Sequence, residues 1–309
     1  MPNRDDQDFA RHADELRAKL GRVSVWWSAP MLGPAAQSRA SAAEIEQLGF
    51  PAVWYGEAAL GKDAFAAAGI LLGATSTLNV AAGVANIWSR AAATMVAGAA
   101  ALGEAYDDRF ILGIGVSHAP LVAMVGQEYK KPLTVMRGYL DAMDEAPYIG
   151  ARPAGGVRRV LAALRPKMLA LSSERSAGAL PYFVPVEHTA RAREILGAQP
   201  LLAPEQAFVL ETDPDRARAL AREHLGPYLQ MPNYTNNLRD LGFGDDDFAD
   251  GGSDRLADAI VVRGDADAVA DRIRAHLDAG ADHVSIQPLG DYDTAVAALR
   301  AVAPTVLAI

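Results

Sequence analysis

Several short apolar runs of the chain end in residues that suit the binding of a flat organic ring. Parallel strands present their functional residues at their carboxyl ends, so we consider the residues at which each run stops. They are aromatic, glycine-rich and lightly charged: Trp26, Trp27, Ser28, Tyr55, Gly56, Glu57, Gly83, Val84, Ala85, Asn86, Trp88, Gly113, Gly115, Ser117, His118, Leu164, Arg165, Pro166 and Lys167. His, Asp and Glu do not recur at the spacing of metal ligands, so the pattern favours a conjugated ring and predicts no metal site.

The segment "LRPKML" is the candidate for binding a phosphate group. Backbone N–H groups at the start of a helix attract an anion, and the helix dipole adds to this effect. Pro166 fits the first helical turn, and Arg165 and Lys167 add positive charge after Leu164. We predict a phosphate site here, with a solvated surface role for Arg165 as the alternative.

The elements that position these residues alternate between short apolar runs and Ala-rich helical segments. The runs are "RVSVWW", "AVWYGE", "LNVAAGVA", "RFILGIGV", "RRVLAAL", "GALPYFV", "QAFVLET" and "DHVSIQPL". Eight βα units in about 300 residues predict an α/β fold, a closed (β/α)8 TIM barrel, in preference to two Rossmann halves. Linkers of low complexity are absent, so residues 1–309 are predicted to form one domain.

Two segments exceed a minimal barrel. Residues 1–20 form a mixed-charge N-terminal extension, and residues 229–263 form a long insertion between the seventh and eighth strands. Insertions of this length in a compact domain are usually functional covers or disordered. The aromatic and amide residues Tyr234 and Asn237 favour a cover over the active site, with a solvated loop as the alternative.

Composition excludes several classes of partner. A formal net charge of -9 without a long basic run argues against nucleic acid and anionic membranes, and leaves a small molecule as the expected partner. There is no cysteine, which removes disulfides, thiolate nucleophiles and cysteine-built zinc sites. The N-terminus is charged where a signal peptide would be apolar, and no stretch of about 18 apolar residues occurs. We therefore expect a cytoplasmic protein.

The run "GIGVSH" begins like a dinucleotide-binding fingerprint but departs from it. Its sixth position is His118, and "APL" follows where a helix should begin at once. The chain also lacks a G-x-x-x-x-G-K-[ST] phosphate loop and a G-x-S-x-G nucleophile motif. A nicotinamide Rossmann site, a kinase-like site and a hydrolase-like site are thus all disfavoured.

Four motifs in order along the chain resemble the luciferase-like flavin and deazaflavin oxidoreductases, in the branch that uses coenzyme F-420. They are "VWYGE", "GVANIWSR", "RFILGIGVSH" and "LRPKMLALSSERSAGALPYF", and "PYLQMPNYTNNLRDLGFGDDD" in the insertion is also similar. The resemblance spans about residues 22–290. It implies hydride transfer between the deazaflavin coenzyme F-420 (8-hydroxy-5-deazaflavin) and a small organic substrate.

The same resemblance implies how the coenzyme ring is held. Its members carry a bulge with a non-prolyl cis peptide after the third strand, which here falls at Gly83–Val84. Ala85 continues the bulge, and Asn86 would hydrogen-bond the polar edge of the ring. A plain β-bulge at the barrel rim, with Asn86 capping the next helix, is the alternative. Gly115 and Ser117 on the fourth strand complete the predicted coenzyme-binding set.

His118 and Glu57 are the predicted catalytic residues. Histidine titrates near neutral pH and can move the proton that accompanies hydride transfer. A hydrogen bond from His118 to a phosphate or ribityl hydroxyl, and a helix-capping role, stay open. Glu57 matches an acidic or polar position near the ring in the family, or pairs with a neighbouring helix.

The predicted substrate pocket consists of Trp27, Trp88, Tyr234 and Asn237, although aromatic residues also fill ordinary cores. Two other functions stay open: an FMN-dependent monooxygenase of the same fold and a non-catalytic deazaflavin-binding barrel. The resemblance also implies a homodimer, for which the Ala-rich segment "SRAAATMVAGAAALGEAY" would allow close helix approach.

Overall fold

Eleven parallel strands form one sheet in the structure, which is a computed structural model that describes residues 8–28, 31–58 and 60–309. The strands are β1 Val23–Trp26, β2 Ala52–Tyr55, β3 Asn79–Ala82, β4 Ala85–Asn86, β5 Phe110–Gly115, β6 Arg159–Ala162, β7 Gly178–Leu180, β8 Leu201–Leu202, β9 Glu205–Val209, β10 Val261–Arg263 and β11 Val284–Pro288. Most strand residues are buried, as expected for a parallel sheet covered by helices.

Most of the helices follow a strand and cover the outside of the sheet. They are α1 Phe9–Leu20, α2 Ala35–Gln47, α3 Ala64–Leu72, α4 Ala92–Ala105, α5 Ala119–Met124, α6 Pro132–Asp144, α7 Pro166–Arg175, α8 Val186–Leu196, α9 Pro214–Leu229, α10 Pro232–Asp240, α11 Asp245–Phe248, α12 Asp254–Ile260, α13 Ala266–Asp278 and α14 Tyr292–Val306. None of the helices within the described ranges is both long and apolar enough to cross a bilayer.

A bent strand closes the sheet into a barrel. From β1 the sheet runs through β2, β3, β5, β6 and β7 to β8 on one side, and through β11 to β9 on the other. Only Ala203 and Pro204 separate β8 from β9, so the same stretch of chain pairs with β7 at its start and with β11 at its end. The TIM-barrel fold predicted from the eight apolar runs is therefore confirmed.

Two short strands were not predicted. β8 has two residues and β10 has three, which is too short for a hydrophobic period to be recognised. β10 lies inside the predicted insertion, residues 229–263, and pairs with β9. The rest of that segment folds into α10, α11, α12 and a 3-10 turn at Ala249–Gly251, so it is a helical layer with a short strand.

The predicted N-terminal extension forms a plug at the amino-terminal end of the barrel. Residues 1–7 lie outside the described part, Asp8 caps α1, and α1 occupies Phe9–Leu20. Ala13, Leu16 and Leu20 of α1 pack in one apolar cluster with Trp54 and Ile111 from the barrel interior. This packing leaves the opposite, carboxyl-terminal end of the barrel as the open one.

Candidate active site

A cavity of about 1000 Å³ opens at the carboxyl ends of the strands. Its volume lies within the range expected for a site that takes a cofactor or small molecule. It brings together most of the predicted site residues: Glu57, Gly83, Val84, Asn86, Gly115, Ser117, His118, Leu164, Arg165, Pro166, Lys167 and Tyr234. These residues are distributed from position 57 to position 234, and the barrel topology is what assembles them.

A cis peptide bond joins Gly83 to Val84 between β3 and β4. This is the position that the family resemblance implied, and the prediction is confirmed. The amide of Gly83 donates to the carbonyl of Tyr55 at 2.7 Å, and an added Cβ on Gly83 would lie 2.6 Å from the ring of Trp26. The bulge therefore lies directly against the indole of Trp26, and both residues line the cavity.

The G-x-G pattern on β5 makes room for this bulge. A Cβ on Gly113 would lie 2.0 Å from the carbonyl oxygen of Ala82, and one on Gly115 would lie 2.3 Å from Cγ2 of Val84. Side chains at either position would collide with the neighbouring segment. The G-x-G pattern does not match a dinucleotide-binding fingerprint, and its two glycines instead allow β5 to lie close to the bulge.

Glu57 holds the segment that follows the bulge. Its Oε2 accepts the backbone N–H of Asn86 at 2.7 Å, and its Oε1 accepts that of Ala64 at 3.3 Å. Both carboxylate oxygens also pair with the guanidinium of Arg90, which contacts Asp63 as well. The Glu57 and Arg90 side chains are only 7% and 6% exposed. Ion pairing and backbone contacts thus occupy both oxygens of Glu57, as in the alternative in which it pairs with a neighbouring helix, and its catalytic role stays a prediction.

Asn86 fixes a local turn, and it does not cap the next helix, α4, whose cap position is Ala91. Its Oδ1 accepts the backbone N–H of Trp88 at 3.1 Å, which fixes a local turn. Its Nδ2 has no hydrogen-bond partner among the described residues, and the residue lines the cavity while being only 5% exposed. One amide donor is therefore free for a bound ring.

Four predicted residues stay outside the cavity wall in the described part of the chain: Ala85, Trp27, Trp88 and Asn237. Trp27 and Ala85 follow the alternation of a strand, which turns neighbouring side chains to opposite faces. The ring of Trp27 therefore stacks on that of Tyr292, with the ring centroids 5.2 Å apart. Trp26 lines the cavity, where Trp27 was predicted to lie. Asn237 is 2% exposed and lies beside the wall within α10.

Trp88 does not line the cavity but contacts two residues that do. Its indole N–H donates to the carbonyl of Val116 at 2.8 Å, and its ring lies 6.1 Å from that of Tyr129. Val116 and Tyr129 both line the cavity. Trp88 thus fixes the end of β5, next to the residues that were predicted to do chemistry.

His118 faces the cavity with no hydrogen bond to its ring from any described residue. It occupies the cap position of α5, but its side chain makes no capping bond. Its ring lies 5.0 Å from that of Tyr234, which comes from α10. Burial lowers the pKa of His118 below the ordinary value of 6.5, so the neutral imidazole predominates at neutral pH.

Sequence reasoning missed a group of polar aromatic residues on the other side of the cavity. The hydroxyls of Tyr182 and Tyr228 are 2.8 Å apart, and that of Tyr182 donates to Oε1 of Gln287 at 3.0 Å. His224 lies beside Tyr228, and burial lowers its pKa to about 4. Tyr182 and Gln287 lie at the ends of β7 and β11, where the rule of strand ends could have found them.

The predicted phosphate segment begins α7, as expected. Leu164, Arg165, Pro166 and Lys167 line the cavity, and Pro166 opens the helix. The Nε2 atom of His188 lies 2.7 Å from the carbonyl oxygen of Leu164 and so fixes this turn. No hydrogen bond to the backbone N–H of Lys167 is found within residues 8–28, 31–58 and 60–309.

Arg165 has a partner that the sequence did not suggest. Its Nε lies 3.2 Å from Oδ2 of Asp240 at the end of α10, and Nη1 of Arg191 donates to the Asp240 carbonyl at 3.2 Å. Asp240 and Arg191 also line the cavity. In the described chain no cluster of three or more His, Asp or Glu side chains suits a metal ion.

Comparison with known proteins gives the class to which this site belongs. The sequence profile of the luciferase-like monooxygenases matches residues 19–283, most of the 309-residue chain. The chain therefore belongs to the luciferase-like monooxygenase family, and the family predicted from the strand-end motifs is confirmed.

One relative by sequence is the 5,10-methylenetetrahydromethanopterin reductase of Methanolobus tindarius, 27% identical over 203 residues. The match covers 57% of this chain and 62% of the relative, so the chain spans less than two thirds of that protein.

Two solved structures share the fold. An F420-dependent secondary alcohol dehydrogenase in complex with an F420–acetone adduct has a TM-score of 0.74 at 14% identity, covering 92% of this chain and 98% of its own. The FMN-bound oxygenating constituent of 3,6-diketocamphane monooxygenase from Pseudomonas putida has a TM-score of 0.70 at 14% identity, covering 92% and 97%. At these identities the likeness concerns the fold alone.

Replacing Gly115 by alanine should destabilise the bulge, because the new methyl group would collide with Val84. We expect a loss of about 1–3 kcal/mol of unfolding free energy and a lower thermal midpoint. Gly138→Ala is the matched control: it lies exposed within α6, with nothing within 4 Å of an added Cβ, and should be neutral or slightly stabilising. Equal midpoints for the two variants would contradict this role of Gly115.

Glu57→Gln should lower the free energy of unfolding by about 3 kcal/mol, because it leaves the buried Arg90 without its main counter-charge. Glu174→Gln removes a carboxylate from an exposed pair with Arg137 and should cost about 0–1 kcal/mol. Denaturant unfolding of both variants measures the difference. A Glu57→Gln protein of wild-type stability with a greatly reduced kcat would contradict this structural role and support the predicted catalytic role.

Proposed function

We propose that the chain is an oxidoreductase that transfers a hydride between coenzyme F-420 and a small organic substrate. The observation that carries the proposal is the cavity that combines the surface without a side chain at Gly83 with a helix start suited to a phosphate. The names of the F420-dependent dehydrogenase and of the methanopterin reductase among the similar proteins favour this chemistry.

The residues present fit a deazaflavin. The bulge offers a surface without side chains at Gly83, and the unpaired Nδ2 of Asn86 offers a donor to the polar edge of a ring. Lys167 offers a free backbone N–H and a positive charge for the phosphate. When bound, the coenzyme supplies a carbon centre that accepts or donates a hydride.

His118 is proposed to move the proton. In the direction of alcohol oxidation, its neutral imidazole would accept the hydroxyl proton as the hydride passes from the adjacent carbon to the bound coenzyme, and the alcohol would become a carbonyl compound. The lowered pKa of His118 suits this direction, because the base is already deprotonated at neutral pH. The wall formed by α10, with Tyr234 against His118, helps to exclude water.

An FMN-dependent monooxygenase is the second candidate. The family itself is named for monooxygenases, and one structure of the same fold contains FMN. Optical titration of the purified protein with F-420 and FMN in parallel decides between the two. Tighter binding of F-420 is expected, and tighter binding of FMN would overturn the choice of coenzyme. A bound reduced coenzyme that stays unchanged over a broad substrate panel would indicate a non-catalytic barrel.

His118→Ala should lower kcat about a hundredfold or more and leave the affinity for the coenzyme near that of the wild type. With the wild type, kcat for alcohol oxidation should fall as pH is lowered through the pKa of His118, and the midpoint of this fall should lie below the ordinary histidine value because burial depresses that pKa. In carbonyl reduction the imidazolium is the acid, so activity should fall as pH rises through the same pKa. Weakened coenzyme binding with an unchanged kcat would instead assign His118 to binding.

A further inference from the structure

Tyr228, Tyr182 and Gln287 form a short chain of hydrogen bonds in the cavity wall. The hydroxyl of Tyr182 donates to Oε1 of Gln287 at 3.0 Å, and the hydroxyl oxygens of Tyr182 and Tyr228 are 2.8 Å apart. A phenol has a single hydroxyl hydrogen, and that of Tyr182 is used on Gln287, so Tyr228 is the donor in the second bond. The chain therefore runs from Tyr228 through Tyr182 to Gln287.

The two ends of this chain have opposite hydrogen-bonding capacity. At one end the hydroxyl oxygen of Tyr228 keeps lone pairs that accept, and at the other end Nε2 of Gln287 keeps hydrogens that donate. Neither atom has a further partner in the described part of the chain. Turning the Gln287 amide over reverses the chain and exchanges the two ends. In either orientation the wall presents one donor and one acceptor, both next to the Tyr182 hydroxyl.

These two ends lie in the same cavity as His118. The ring of Tyr234 connects the two regions, since its centroid lies 5.0 Å from that of His118 and 5.3 Å from that of Tyr228. A small molecule whose reacting group lies at His118 therefore brings a second group to Tyr228 and Gln287. His224 packs beside Tyr228 at 5.1 Å between centroids, and burial lowers its pKa to about 4, so at neutral pH it offers no cation to a charged group.

We infer that the substrate is a neutral diol, or the hydroxy-carbonyl compound related to it by oxidation, whose second hydroxyl binds between Tyr228 and Gln287. This inference rests on the proposed function: one hydroxyl loses its proton to His118 as the hydride passes to the coenzyme, and the other hydroxyl is unchanged. Tyr228 and Gln287 are thus specificity-determining residues.

The chemistry of the second group follows from the two ends of the chain. A hydroxyl both donates and accepts, so it satisfies both ends at once. A methyl group leaves both unpaired, an ether oxygen can only accept, and a carboxylate has no hydrogen to give to the acceptor. Because an unpaired polar group in a closed site costs binding free energy, each of these replacements should weaken binding.

The test compares 2-hexanol with 2,4-hexanediol, 2,5-hexanediol and 5-methoxy-2-hexanol, which has only an acceptor at its second position. Quenching of tryptophan fluorescence gives affinities for the protein without coenzyme, and loss of the absorbance of oxidised F-420 gives kcat/KM. In at least one of these measurements one diol should exceed 2-hexanol about ten-fold, because it adds two hydrogen bonds, and the ether should gain about three-fold or less. The absence of a diol preference from both measurements would overturn the inference.

Tyr228→Phe and Gln287→Leu each remove one end of the chain. The ratio between the diol and 2-hexanol, measured within one protein, should fall from about ten-fold to about three-fold in each variant and to about one in the double variant. Because it is a ratio, a general loss of folded or active protein leaves it unchanged. A double variant that keeps the diol preference would contradict the role of the two residues. So would an unchanged ratio with weakened F-420 binding, which would assign the chain to the coenzyme.

Tyr106→Phe is the matched control. It removes the same atom from a tyrosine outside the cavity wall, whose hydroxyl lies 3.5 Å from the carbonyl oxygen of Gly69. The ratio should stay at about ten-fold in this variant. A fall as large as that in Tyr228→Phe would show that the effect does not come from the cavity, and would overturn the inference.

The outcomes separate this inference from the proposed function. A diol preference in the fluorescence titrations, with no reduction of F-420 by any of the alcohols, would overturn the proposed hydride transfer and keep the hydroxyl site. Reduction of F-420 by 2-hexanol and by the diols with equal kcat/KM, together with equal affinities, would overturn the hydroxyl site alone.

Discussion

The buried ion pair between Glu57 and Arg90 fixes the geometry on which the cavity depends. Through the N–H of Asn86, Glu57 holds the segment after the cis bulge, and Asn86 in turn accepts the N–H of Trp88. The indole of Trp88 then holds the carbonyl of Val116 at the end of β5. The end of β2, the bulge and the end of β5 are therefore connected by one series of short contacts. Loss of the first contact would displace all three segments, because each contact positions the next.

Within the segment between α9 and β10, α10 contacts the neighbouring elements through aromatic rings. Tyr234 of α10 lies 5.0 Å from His118, 5.3 Å from Phe183 and 5.3 Å from Tyr228, measured between ring centroids. These contacts belong to an apolar cluster that also contains Leu238. Such packing is not weakened by salt, whereas the single charged contact at the rim is. The position of α10 over the cavity is thus set by packing, and the rim charges remain available to a ligand.

The barrel fold could be predicted from the sequence because strands and helices have recognisable hydrophobic periods. Once the strands are located, their carboxyl ends indicate where the site lies. It was insufficient for the partner of Glu57, since Arg90 is 33 positions away and only the fold brings the two together. It also misassigned Trp27, because an error of one residue in a strand reverses the face of the side chain. Tyr228 was missed because it lies on a helix, outside the strand-end rule, and approaches Tyr182 only in three dimensions.

Two buried titratable groups beside the tyrosines of the cavity, His224 and Glu205, are uncharged over a defined range of pH. Burial lowers the pKa of His224 to about 4 and raises that of Glu205 to about 8, and it also raises the pKa values of Tyr182 and Tyr228. Glu205 is 1% exposed, its Oε2 accepts only the N–H of Phe183, and its Oε1 has no partner in the described chain. Between these two pKa values neither group carries a charge next to the cavity. On this side of the cavity a charge that develops on a substrate oxygen would interact with the nearest hydroxyl or imidazole, because neither of these two groups is charged there. Above about pH 8, ionisation of Glu205 would place a negative charge under the tyrosines and oppose a developing oxyanion.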